Sequence, residues 1–94
     1  MSLSPEASET LALKALAWLV ANDELLPVFL GSTGAGIDDL KTQAGDPAIL
    51  GAVLEFITMD DAWVVAFCDV HDLPYEAPMM AAQILLGNAR THWT

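Results

Sequence analysis

Cysteine and histidine do most of the covalent and metal chemistry available at neutral pH, and Cys68 and His71 stand three residues apart. On a helix that spacing puts both on one face. A thiolate beside an imidazole is a nucleophile pair. Two such ligands are also half of a structural zinc site. The other half is missing, because the only further histidine is His92. Trp63, Val64 and Phe67 share the face of Cys68, while Asp61, Asp69 and Asp72 lie off it. Apolar and acidic surroundings keep a cysteine as the thiol. The expectation is a packed Cys68 and a His71 that meets the last carbonyls of its helix. No catalytic residue, metal ligand or cofactor is assigned.

A second candidate is the stretch from Gly31 to Gly36, with glycines at 31, 34 and 36. Glycine-rich loops before a helix cradle phosphates on backbone N–H groups. Here the spacing is G-x-x-G-x-G, which is neither the dinucleotide fingerprint nor the P-loop. Asp38 and Asp39 stand where the anion would land. The loop therefore reads as a helix cap and turn. Paired carboxylates at Asp38/Asp39, Asp60/Asp61 and Asp69/Asp72 could serve as acid and base, but no apolar cleft around them is visible in the sequence. The fourth candidate is apolar. Met79, Met80 and Leu86 lie beside the Glu76–Gln83 line of a nearly all-apolar helix, and together would form an exposed patch for a partner.

The elements that must position these residues are helical throughout, since no run alternates apolar and polar residues between turns. The first helix runs from Pro5 to about Ala21, capped by Ser4. A second runs from about Glu24 to Ser32, and a short third from about Asp38 to Ala44 before Gly45. Asp46-Pro47 starts a fourth that reaches about Met59. A fifth spans Asp61 to about Asp72, broken by Leu73-Pro74. The sixth runs from about Tyr75 to Leu86 and stops at Gly87. Residues 1–4 and 88–94 read as loose ends of one domain covering 1–94, with Trp93 able to pin the tail. Rotating the helices puts Thr10, Lys14, Ala17 and Ala21 on a narrow outer arc of the first, and Ala48, Gly51, Glu55 and Thr58 on that of the fourth.

The chain has 94 residues, 13 acids against 3 bases, and a formal net charge of −10. Hydrophobic residues make up 54%, and the mean hydropathy is +0.45. So apolar a chain is not disordered. Lys14, Lys41 and Arg90 are too few and too scattered to hold a nucleic-acid backbone or an anionic membrane. The longest strictly apolar runs, Ala15–Ala21 and Ala62–Cys68, are far shorter than the ~20 residues of a membrane span. The start Met1-Ser-Leu-Ser-Pro-Glu has neither a positive segment nor an apolar one, and a lone cysteine makes no internal disulfide. These features point to the cytoplasm. Glu6, Asp23, Glu24, Asp38, Asp39, Asp46, Asp60, Asp61 and Glu76, nine of the 13 acids, fall at helix starts, where capping explains them.

Several segments also carry a resemblance. In order they are Leu11-x-Leu-x-Ala-Leu-Ala-Trp-Leu, Phe29-Leu-x-x-Thr-Gly, Asp39-Leu, Asp46-Pro, Val53-Leu-x-Phe, Asp60-Asp, Phe67 and Leu73-Pro. Over Leu11 to Pro78 the chain resembles the domain of unknown function 3572 family of short bacterial helical proteins. The resemblance implies a helical fold and no activity, cofactor or catalytic residue, because its segments are caps and core positions.

The expected fold is all-α, a compact array of five or six short helices around a central apolar first helix. Helices this apolar exceed what so short a chain can cover. The first functional reading is therefore a small interaction protein, a homodimer through the sixth helix with Met79, Met80 and Leu86 as the docking residues. A second is an acidic regulator of a basic protein partner. A third, an enzyme or ligand-binding protein using the Gly31–Gly36 loop or the Cys68/His71 face, has the least behind it.

Overall fold

The structure is a computed structural model that describes residues 3–34 and 36–91, and of 88–91 the backbone alone. Six helices follow one another: α1 (Pro5–Val20), α2 (Leu25–Thr33), α3 (Ile37–Thr42), α4 (Pro47–Thr58), α5 (Asp61–His71) and α6 (Ala77–Thr91). There is no strand among the described residues. The fold is all-α, as the spacing of apolar residues requires.

Side-chain caps set the starts. The Ser4 hydroxyl accepts from the Ala7 N–H at 3.0 Å and opens α1. Asn22 Oδ1 accepts from the Glu24 and Leu25 N–H groups, each at 3.1 Å, and opens α2. Asp46 and Asp60 take the Ala48 and Ala62 N–H groups at 2.9 and 2.8 Å. Each such bond satisfies a donor that the helix itself cannot. Two left-handed residues set stops: Gly34 (φ 73°) after α2 and Asp72 (φ 54°) after α5.

Helices α1, α4 and α6 pack on one another; α5 lies on α4, and α2 on α1. Leu11, Leu16 and Leu19 of α1 meet Leu50, Val53, Leu54 and Ile57 of α4 and Leu85 of α6 in one core, with Phe29, Leu40 and Phe67 filling it from the sides. Phe56 ties three elements together. Its ring meets Phe29 edge-on at 5.3 Å and stacks on Trp63 at 5.0 Å. Such ring pairs add about 0.5–1.5 kcal/mol beyond the area they bury.

Three expectations change. Leu13 and Val20 lie outside the arc expected for the first helix, yet both join Thr10, Lys14 and Ala17 on its exposed face. Gly51 is not on an outer arc but buried, and a Cβ there would lie 2.6 Å from Leu86 Cγ. Hence α4 and α6 approach at a glycine. Third, Gly87 does not stop α6, which continues to Thr91. Glycine weakens a helix interior by only about 1 kcal/mol, and α6 is held along its length by Ala77, Ala81, Ala82 and Leu85, all buried. The expected loose tail is thus helical over 88–91, while His92 and Trp93 lie outside the described residues.

Candidate functional site

Exposed apolar side chains flank a concave surface where α4, α5 and α6 converge. The end of α4 supplies Glu55 and Thr58. The start of α5 supplies Asp61, Val64 and Val65, and α6 supplies Met79, Ala82, Gln83 and Leu86. Positions 79, 82, 83 and 86 share one face of a helix. Two grooves of about 250 and 240 Å³ meet here. Thr58 and Met79 line both. Met79 is 53% exposed and forms the ridge between them, with Val65 38% exposed in the first groove. The Thr58 hydroxyl donates to the Glu55 carbonyl at 2.9 Å, so it is already satisfied within α4.

Each groove is smaller than the ~300–1,000 Å³ of a small-molecule pocket. Their acids, Glu55 and Asp61, are exposed at the edges. Tyr75 also lines the first groove, and its hydroxyl is engaged by Asp69 at 2.8 Å. What it can do is receive apolar side chains, with methionine adapting to their shape.

Of the three docking residues expected from sequence, the structure brings two together. Met79 and Leu86 line one groove; Met80, a step further round α6 and half-buried, lines neither. Sequence spacing alone missed Glu55, Thr58 and Val65, since nothing local says which helices flank α6.

The remaining candidates resolve into structure. Cys68 is fully buried, and its Sγ donates to the Pro74 carbonyl at 3.5 Å. Burial, then the nearby Asp69 and Glu76 charges, push its thiol above the ordinary 9.0. The half-buried His71 ring lies 5.0 Å from the Phe67 ring. No group of three or more metal-ligating side chains occurs among the described residues. In the glycine-rich loop the Gly34 N–H bonds the Leu30 carbonyl at 2.9 Å, and the Gly36 N–H bonds Asp39 Oδ2 at 3.0 Å. Those two amides are engaged, as a cap requires. One acid of each pair accepts a hydrogen bond that shapes the local fold. Asp39 and Asp60 cap helices, and Asp69 accepts from the Tyr75 hydroxyl at 2.8 Å. That bond, and the Asp69 charge behind it, raise the Tyr75 phenol above its ordinary 10.0.

The model of the family described as Protein of unknown function (DUF3572) matches residues 5–88. The chain therefore belongs to that family. Among curated proteins and solved structures, none matches the chain.

Proposed function

We propose that this protein is a small interaction module of the cytoplasm that self-associates through the face where α4, α5 and α6 converge. The observation that carries this reading is Met79, more than half exposed on the ridge between two grooves whose linings join apolar side chains to polar ones. Contiguous apolar surface rimmed by polar residues is the usual mark of a protein partner. Grooves of this size take side chains of another protein rather than a metabolite. The partner is a protein, in the first instance a second copy. A single cysteine, buried as the thiol, supports that compartment. No described helix is long and apolar enough to cross a membrane.

The test is the solution mass by size exclusion with light scattering, at two protein concentrations and two salt levels. One chain weighs 10.0 kDa. The expected mass is at least twice that and persists at high salt, because the contact is apolar. Met79→Glu lowers it by placing a charge on the ridge. A wild-type mass of one chain at every concentration overturns the self-association. The net charge of −10 also fits an acidic regulator of a basic partner. Binding of that kind would disappear as salt is raised.

A further inference from the structure

A second apolar surface lies on α1 and α3, away from the Met79 ridge. Glu9, Leu13, Leu16 and Val20 recur on α1 at intervals of four, three and four. That is the spacing of a helix-pairing seam. Leu13 is 46% and Val20 38% exposed, and Glu9 is exposed as well, whereas Leu16 is a core residue, 8% exposed, that meets the surface only as lining of a groove. Beside the far end of the seam an apolar groove of about 220 Å³ opens toward α3. Leu16, Val20, Ile37, Leu40, Lys41 and Ala44 line it. Ile37 is 39% exposed, so apolar surface continues from α1 onto α3. Lys41 is exposed and is the one charge in the lining.

We propose that this surface is a two-fold interface in which α1 of a second copy lies antiparallel across it. Charge complementarity selects that occupant, and the four-three-four spacing, which reads the same in both directions, permits it. An axis between Leu13 and Leu16 sets Leu13 over the groove that the partner's Leu16 lines, and Glu9 against the partner's Val20. Charge selects the same orientation. Lys41 and Val20 line one groove, so each Glu9 carboxylate comes beside the partner's Lys41. Two ion pairs form by symmetry at the ends of an apolar seam. Running the helices parallel would place Glu9 against Glu9 and lose both pairs. The same orientation sets a negative end against a positive one in a chain that otherwise repels its copies, with −10 on each.

The interface does not depend on the Met79 ridge, and the test keeps the two apart. Light scattering over a concentration series is run on full-length wild type, Leu13→Glu, Lys41→Glu, Glu9→Lys with Lys41→Glu, and Met79→Glu. Leu13, Lys41 and Glu9 are exposed, so the folds survive, and unchanged helical circular dichroism verifies it. Leu13→Glu and Lys41→Glu each weaken association at least about tenfold, since each sets like charge or unpaired charge into the seam. The double charge reversal restores it. If Leu13→Glu weakens association and the double reversal does not restore Lys41→Glu, the antiparallel pairing is wrong. If only Met79→Glu lowers the mass, this interface is overturned and the ridge stands. If only the α1 and α3 variants lower it, the ridge fails and this interface stands. A wild type that stays at one chain overturns both.

Discussion

Cys68 lines a surface groove beside Asp69, Pro74 and Tyr75 but exposes none of its own surface. It is fully buried, and its proton points at the Pro74 carbonyl. A thiol must ionise to react, and burial first, then Asp69 and Glu76, hold this one above the ordinary 9.0. Folded protein at neutral pH should therefore leave an alkylating reagent almost unused over a period in which urea-unfolded protein is fully labelled. Equal rates would show that the segment around Pro74 opens readily. Tyr75 titrates in the same direction, chiefly because its hydroxyl donates to Asp69. Both groups hold their protons more tightly folded than unfolded. Their contribution to stability is complete below about pH 8 and is lost as pH rises through the raised values. Urea midpoints should fall between about pH 8 and pH 11, and fall less in Tyr75→Phe, which has no proton to lose there. A midpoint flat over that range would contradict the Tyr75–Asp69 bond. The sequence showed that Cys68 sits among apolar and acidic neighbours, and that was sufficient to read it as an inert thiol. The Tyr75–Asp69 bond was not visible, because it crosses the left-handed turn at Asp72. A non-glycine residue there leaves no mark in the sequence.

Helix starts were legible, and helix contacts were not. Ser4, Asp46 and Asp60 each announce a helix by residue type, and each accepts the expected N–H. A cap is a local bond, so local sequence reveals it. Gly51 and Gly87 show the limit. Gly87 reads as a stop and Gly51 as part of an outer arc, yet Gly87 lies inside α6 and Gly51 is buried within α4. Gly51 is needed for what it lacks, since a Cβ would press on Leu86 at 2.6 Å. That partner lies in the last helix, and no local spacing points to it. Gly51→Ala sets two effects against each other. Alanine improves the helix by up to about 1 kcal/mol, while overpacking costs about 1–3 kcal/mol. The expected result is a net loss of stability by denaturant unfolding. In a Leu86→Ala background the same change becomes stabilising, because only the helix gain remains. A Gly51→Ala that stabilises the wild type would show that Leu86 moves aside freely. The same approach turns Leu86 half outward toward the Met79 groove, so one glycine shapes both the core and the candidate site.

At the scale of the molecule, the composition indicated too much apolar helix surface for the chain to cover, and the structure locates the excess. Part of it gathers around Met79 and on the α1–α3 seam, and part is scattered at Val28, Met59 and Val70. The sequence assigned the excess to α6 and treated α1 as its covered centre. The structure leaves Leu13 and Val20 of α1 exposed, because α4 and α6 share the interior with it. Which helices share an interior depends on close approach at small residues, here Gly51, Ala81 and Ala82, and these are silent in a hydropathy pattern. One contact has a further consequence. Helix α1 packs on α6, so α1 is synthesised well before it can meet this neighbour. Until then Leu11, Leu16 and Leu19 have no α6 to face. Closing so long a loop costs little more than closing a shorter one, and order of synthesis sets the delay instead. The interior is completed in one late step after translation has passed α6. A ribosome stalled before Ala77 would display the greasy sides of α1 and α4 to the factors that guard nascent chains.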